Sequence, residues 1–117
     1  MIAEHGKTMI TLEQLTTYVD ESDHWRGKPV YTALVEEARK MGIAGATAIR
    51  GVEGFGVRQH REIHTANILE LSSELPMVVN VIDNAEAIAT FLPLVKEIVT
   101  MGLVIPETVN VVHHAPY

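Results

Sequence analysis

Two segments with a helical hydrophobic period each lie between two segments of β-strand character. Between residues 29 and 41, apolar side chains recur at intervals of three and four, with Pro29 at the first helical position and Gly42 as a stop signal. The second helix is predicted to begin at the capping-box pair Asp83 and Glu86 and to end at Gly102. This alternation favours an α+β domain in which helices cover a sheet.

Four strands are predicted around these helices. The clearest is "MVVNVID". In the first strand, apolar residues occur at both odd and even positions, so a bulge or a misplaced boundary is expected there. Pro93 lies inside the second helix and is expected to kink or restart it. The order strand, helix, strand, strand, helix, strand predicts the ferredoxin-like βαββαβ fold, with both helices on one face of an antiparallel sheet. The predicted strands cover 9–19, 43–52, 77–83 and 108–112.

Composition limits the classes of function open to the chain. Its 117 residues, 47% of them hydrophobic, fit a single domain over 1–117 with short tails at 1–8 and 113–117. The formal net charge of −6 argues against nucleic-acid binding. No apolar segment is long enough to span a bilayer, the first residues lack a signal-peptide pattern, and Cys is absent. We therefore expect a cytoplasmic protein without membrane insertion.

The second and third strands are separated by more residues than a hairpin needs. Residues 52–76 lie between them, whereas an ordinary hairpin loop has about 2–5 residues. Alternating apolar positions within 63–71 predict an extra strand, which leaves 52–62 as an irregular loop. A loop of this length in a compact domain is functional, disordered or structured in its own right.

The candidate binding residues cluster where this insertion begins. The stretch "RGVEGFG" starts at Arg50, and Arg58 and Arg61 follow closely. Guanidinium groups fork onto phosphate oxygens, and glycines let backbone amides approach an anion. The glycine spacing differs from the dinucleotide fingerprint, so a bend or a hinge stays the alternative. The ligand-binding candidates here, with Phe55 as an aromatic wall, are Arg50, Gly51, Glu53, Gly54, Phe55, Gly56 and Arg58.

Trp25 and Lys28, just before the first helix, are the next candidate ligand-binding residues. Trp25 is the only tryptophan and could stack on a base, with Arg26 or Lys28 near the phosphates. Covering the edge of the core, or filling a subunit interface, is the more common role of such an aromatic side chain.

Metal and catalytic sites are less well supported by the residue pattern. The acidic turn "DESDH" at 20–24 offers oxygen ligands, but its spacing differs from that of a calcium loop, which favours a solvated turn. His60 and His64 have the helical spacing of zinc ligands, yet the segment around His64 predicts a strand. No nucleophile or carboxylate pair stands in a catalytic pattern, so we predict neither a metal site nor an enzyme.

Three motifs make the sequence similar to a known family: "GKP" before the first helix, "RGVEGFG", and "IHT". From about residue 19 to 112 the chain resembles the prokaryotic family called domain of unknown function number 190, which is PII-like. That family is similar in structure to the nitrogen-regulatory PII proteins and the CutA-type proteins, which are trimers of ferredoxin-like subunits. The resemblance implies a PII-like homotrimer.

The resemblance also implies a function. PII proteins bind adenine nucleotides in clefts between subunits and signal by docking a mobile loop onto partner proteins. Residues 52–62 occupy the place of that loop. The expectation is a regulatory or sensor protein that binds a small anion, such as an adenine nucleotide, without a required cofactor, and meets a regulated protein through 52–62. The basic segment that follows the second helix of PII proteins has no counterpart, because "MGLVIPE" offers no cation, so other residues must hold any phosphate.

Two alternatives stay open. One is a ligand-free structural or interaction trimer, in which the extra strand at 63–71 serves the assembly. The other is a metal-responsive protein of the CutA type, which would use His60, His64 or the acidic turn at 20–24.

Overall fold

The described part of the chain folds into one five-stranded sheet, two helices and two short two-stranded ladders. The structure is a computed structural model that describes residues 2–4, 7–54, 64–65 and 75–115. In chain order the elements are β1 (Ile2–Glu4), β2 (Lys7–Asp20), β3 (His24–Trp25), β4 (Lys28–Pro29), α1 (Val30–Lys40), β5 (Gly45–Arg50), β6 (Glu53–Gly54), β7 (His64–Thr65), β8 (Pro76–Asp83), α2 (Ala85–Ile98) and β9 (Leu103–Val111).

The strand order of the main sheet is β9-β2-β8-β5, with β1 paired to the first residues of β2. All of these pairings are antiparallel. The helix α1 connects β2 to β5 across β8, and α2 connects β8 to β9 across β2, so each connection is a split βαβ unit. This order confirms the predicted ferredoxin-like fold.

The two helices cover one face of the sheet and enclose the core with it. Alternate residues of β2 and β8 point toward the helices, as the period of two in a strand requires. The buried residues of these two strands are Leu15, Thr17, Val19, Met77, Val79 and Val81. Those of the helices are Val30, Ala33, Leu34, Ala38, Ile88, Phe91, Val95 and Ile98. The other side of the sheet is here called the open face.

The mixed parity of the first strand comes from apolar residues on both faces of the sheet. Leu15 and Val19 are buried toward the helices, while Tyr18 is exposed on the open face. The pairing of β2 with β9 is regular from Ile10 to Tyr18, so there is no bulge in this range. The strand spans Lys7–Asp20 instead of 9–19, so the expected misplaced boundary is the alternative that holds.

The strands near the two ends of the chain differ from the predicted ones. The segment 1–8 contains β1, whose Ile2 pairs with Met9, where a tail was expected. The last strand begins at Leu103 instead of 108 and includes Pro106. A proline lacks a donor, which a strand tolerates where that donor is not needed by the ladder.

Both helix starts lie one residue from their predicted positions. Pro29 is the N-cap of α1, so the helix begins at Val30. The N-cap of α2 is Asn84, whose Oδ1 accepts from the Ala87 amide at 2.7 Å. Asp83 was expected in this role, but its Oδ2 accepts from the Ala44 amide at 3.0 Å and so ties β8 to the segment before β5.

The second helix is continuous through Pro93 and ends at Ile98, before the expected stop at Gly102. Pro93 has no N–H to donate to the Ala89 carbonyl. Both residues are exposed, so water can donate a hydrogen bond to that carbonyl instead. The expected restart at Pro93 is therefore wrong. Among the described residues, neither helix is long and apolar enough to cross a membrane.

The insertion between β5 and β8 contains a short ladder. Glu53 pairs with Thr65 and Gly54 with His64, which places strand β6 inside the predicted loop 52–62. Within the extra strand predicted at 63–71, the structure describes His64–Thr65, and these residues form β7. The rest of both predicted segments lies outside the described residues.

Candidate functional site

One end of the sheet gathers four connecting segments, because its neighbouring strands are antiparallel. Asp20, at the end of β2, pairs with Pro76, and Arg50, at the end of β5, pairs with Met77. Leu103, at the start of β9, pairs with Tyr18 near the same end. The turn after β2, both ends of the insertion and the turn before β9 therefore meet there. This is here called the loop end.

Arg50 forms an ion pair at the loop end. Its Nη2 donates to Glu21 Oε2 at 2.5 Å. The side chain of Arg50 is 52% exposed and that of Glu21 is 17% exposed. Because β8 lies between β2 and β5, the pair crosses the start of β8. The amide of Glu21 donates to the Leu75 carbonyl at 2.8 Å, which also fixes the turn to this strand.

Gly51 and Gly54 pack closely against Pro76. The amide of Gly51 donates to the Pro76 carbonyl at 2.7 Å, so it is already engaged within the chain. A Cβ atom at Gly51 would stand 2.7 Å from Pro76 Cγ, and one at Gly54 would stand 3.2 Å from it. The steric need for glycine at Gly51 is thus a close approach of two segments at the base of the insertion.

Trp25 and Lys28 belong to a separate hairpin, formed by β3 and β4. Its two turn residues, Arg26 and Gly27, have φ values of 52° and 81°, as a two-residue turn of the primed type requires. Trp25 is half-buried and packs against the core, which agrees with the alternative that it covers the core edge. The Arg26 guanidinium lies 4.5 Å from the ring centroid of Trp25, and its Nη2 is 3.4 Å from Glu97 Oε2.

Lys28 is paired with a carboxylate of the first helix. Its Nζ is 2.5 Å from Glu36 Oε1, and both side chains are partly exposed. The hydrogen bond to Glu36 and the attraction between the charges raise the pKa of Lys28. The same hydrogen bond and charge lower the pKa of Glu36. An anion that approaches Lys28 therefore meets an ammonium that already has a counter-ion.

The hydrogen bonds and ion pairs thus place the sequence-derived candidates in two groups. Arg50, Gly51, Glu53 and Gly54 lie at the base of the insertion, whereas Trp25 and Lys28 lie in the hairpin held by the two helices. Phe55, Gly56 and Arg58 lie outside the described residues, as do His60 and Arg61.

Glu21 is the site residue that sequence reasoning missed. Its sequence context suggests a cation ligand in the acidic turn, although its position after the first strand predicts the same end of the sheet as Arg50. The pairing itself spans 29 positions along the chain, and no local pattern encodes it.

The acidic turn is organised by its own hydrogen bonds. Asp23 Oδ2 accepts from the Asp20 amide at 3.0 Å, and the His24 ring Nδ1 lies 2.6 Å from the Ser22 carbonyl. Within the part of the chain that the structure describes, no three His, Asp or Glu side chains are grouped so that they could hold a metal ion.

The family of the chain is settled by comparison of sequences. Residues 12–111 match the model of domain of unknown function 190 (DUF190), described as an uncharacterized ACR. The chain belongs to the DUF190 family. A UPF0166 protein of Aquifex aeolicus is 36% identical over 99 residues, covering 85% of this chain and 91% of the relative. A UPF0166 protein of Methanocaldococcus jannaschii is 34% identical over 98 residues, covering 83% and 88%.

Solved structures show the same fold at low sequence identity. A protein of Thermus thermophilus, described as a PII-like signaling protein, has a TM-score of 0.56 at 21% identity, over 88% of this chain and 89% of its own. CPII, a nitrogen regulatory PII-like protein of Thiomonas intermedia, has a TM-score of 0.60 at 13% identity, over 91% and 92%. That CPII structure is bound to ADP, AMP and bicarbonate. The DUF190 chain therefore has the PII-like fold expected from its sequence motifs.

Proposed function

We propose that this chain is a PII-like regulatory protein that binds an adenine nucleotide at the loop end of its sheet. The observation that supports this most is the position of Arg50. A half-exposed guanidinium stands where the insertion leaves β5, in a fold shared with a protein that binds ADP and AMP. A guanidinium can hold two oxygens of one phosphate through parallel hydrogen bonds.

The phosphate end of the nucleotide is assigned to Arg50 in this proposal, and the base is not assigned to Trp25. One face of the Trp25 ring is covered by Arg26, and the side chain packs against the core. Stacking of a base on the covered face would require Arg26 to leave both the ring and Glu97.

A homotrimer formed through the open face is part of the proposal. A row of apolar residues crosses that face next to the loop end, because Leu103 pairs with Tyr18, Tyr18 with Val78, and Val78 with Ile49. Three of the four, Tyr18, Ile49 and Leu103, are large and exposed in the single chain. A contiguous apolar row of this kind marks a contact surface between proteins. Packing against other copies would set the nucleotide site beside the subunit boundary.

The regulatory output is assigned to the insertion. Nucleotide binding at its base would change the surface that 52–62 offers to a protein partner, an order-disorder or reorientation switch of the kind common in signalling proteins.

A ligand-free interaction trimer is the second candidate function. It is favoured by the ion pairs, since Arg50 and Lys28 each have a carboxylate within 2.5 Å. In that case the cations hold the fold together, and the open face alone carries the function.

Calorimetry separates the two candidates. The chain is titrated with ADP, AMP and ATP, each with and without bicarbonate, and its melting temperature is followed in parallel. Saturable binding that is lost in Arg50→Gln supports the nucleotide regulator. If no nucleotide binds at millimolar concentration, the nucleotide proposal fails. Light scattering gives the assembly, and the mass of one chain would contradict the trimer.

A further inference from the structure

Arg50 and Glu21 are unequal members of their ion pair. The Glu21 side chain is 17% exposed and its amide is hydrogen-bonded to the Leu75 carbonyl, whereas the Arg50 side chain is 52% exposed. Arginine also has a longer side chain with more rotatable bonds. The carboxylate is therefore the fixed partner, and the guanidinium is the group that can turn toward solvent.

We propose that Glu21 is an internal counter-ion that an anionic ligand must displace from Arg50. The inference rests on the proposed function, because it concerns the same anion site. A carboxylate oxygen and a phosphate oxygen accept from the same guanidinium donors in the same geometry, so the two compete for Arg50. Glu21 weakens the binding of every anion, and a phosphate with two or more charges overcomes it more readily than a monoanion.

Displacement also removes a link across the strand β8. The ion pair joins the turn after β2 to the end of β5, on either side of β8. Without it, the base of the insertion keeps the backbone hydrogen bond from Gly51 to Pro76 but loses this ion pair to the turn. Anion binding therefore changes how the first residues of the insertion are held.

The test is a double-mutant cycle read by calorimetry with ADP and with inorganic pyrophosphate. Glu21→Gln keeps the shape of the side chain and removes its charge. We expect it to tighten binding of both probes by about two- to fivefold, the range set by exposed ion pairs. Arg50→Gln weakens binding, and the gain from Glu21→Gln disappears in the Arg50→Gln background, because the two side chains act through one interaction.

A matched control is available on the first helix. Glu37 has a similarly covered side chain, 20% exposed, and its Oε2 is 3.1 Å from Lys40 Nζ. Glu37→Gln removes the same charge from an ion pair at the end of α1, and we expect the affinity for both probes to stay unchanged. A gain equal to that of Glu21→Gln would show a general effect of net charge and would overturn the inference.

The remaining outcomes also decide between the two proposals. If the native chain binds ADP and Glu21→Gln binds it equally or more weakly, Glu21 is no competitor, and the nucleotide site stands without it. If neither protein binds either probe, the site and the inference both fail. Glu21→Asp, with a shorter carboxylate, is the second variant and is expected to bind with an affinity between those of the native chain and Glu21→Gln.

Discussion

Gly102 lies so close to Tyr18 that a Cβ atom at Gly102 would stand 2.3 Å from the Tyr18 carbonyl oxygen. Its φ of 141° is also one that side chains rarely adopt. This close approach lets β9 begin beside Tyr18, where Leu103 pairs with it.

Replacement of Gly102 by alanine should destabilise the fold strongly. We expect Gly102→Ala to lower the free energy of unfolding by about 2–4 kcal/mol, because backbone strain and overlap with a backbone atom add. Urea denaturation measures this loss. Gly42→Ala is the control, since Gly42 has a φ of 75° but open space around its Cα. It should cost about 1–2 kcal/mol for the strain alone, and equal losses in the two variants would contradict the steric part.

The base of the insertion should be sensitive to bulk at Gly51. Gly51→Ala places a methyl group against Pro76 Cγ, and we expect a loss of about 1–3 kcal/mol from overpacking. Gly54→Ala, with a longer contact of 3.2 Å, should lose less. Adding Pro76→Ala to Gly51→Ala should recover part of the loss. Strictly additive losses in urea denaturation would show that the Pro76 ring is not the obstacle.

The fluorescence of Trp25 should depend on the Arg26 guanidinium that covers one face of its ring. Since Trp25 is the only tryptophan, its fluorescence can be assigned without ambiguity. Arg26→Ala should increase quenching of this fluorescence by acrylamide and destabilise the chain by about 0.5–1.5 kcal/mol, through loss of the cation–π contact and the pair with Glu97. Glu97→Gln removes the pair but leaves the stack, so its quenching should match that of the native chain. Increased quenching in Glu97→Gln would mean that Glu97 is needed to hold the stack.

The Lys28–Glu36 pair should make a small contribution to stability that depends on pH. The hydrogen bond from Lys28 keeps the pKa of Glu36 below its ordinary value of 4.5. A lowered pKa in the folded chain means that the contribution is present above the ordinary value and is lost as the pH falls through the lowered one. On the alkaline side, the raised pKa of Lys28 means that the contribution is lost as the pH rises through that pKa.

A carbon-detected NMR titration of the Glu36 carboxyl tests this directly. Lys28→Met should raise the pKa of Glu36 toward its ordinary value. Lys40→Met should raise it less, because Lys40 makes only the smallest contribution to the shift. An unchanged midpoint in Lys28→Met would contradict the pair in solution.

Much of the fold follows from local patterns. The apolar spacing of α1 and α2 and the apolar run of β8 identify three elements, and their order identifies the topology. The start of β9 cannot be predicted in this way, because the short apolar stretch and Pro106 do not have the pattern of a strand. Pairing with β2 makes this segment a strand. The cap of α2 lies one residue after the position that the capping box predicts, since Asp83 and Asn84 are both good caps. The distinguishing contact is the hydrogen bond from the Ala44 amide to Asp83, which joins residues 39 positions apart and so has no local sequence signal.

The candidate site was predictable in place but not in its interactions. Arg50 lies at the end of the second predicted strand, where the long insertion begins, and this predicts the end of the sheet at which Arg50 lies. The partner of Arg50 depends on strand order and on side-chain conformation, both of which are set by packing. The same limit applies to Gly51, whose need for a bare Cα comes from a proline of the next strand.

Ile49 and Arg50 are consecutive residues of β5, and the register directs them to opposite sides of the sheet. Ile49 belongs to the apolar row of the open face, and Arg50 to the proposed anion site. A deletion of one residue before Ile49 that shifts the rest of β5 would therefore turn Arg50 toward the open face and Ile49 toward the opposite side. Length changes after Gly54 leave both surfaces in place. We therefore expect a change in the length of the insertion to be tolerated better than a change in the six residues of β5.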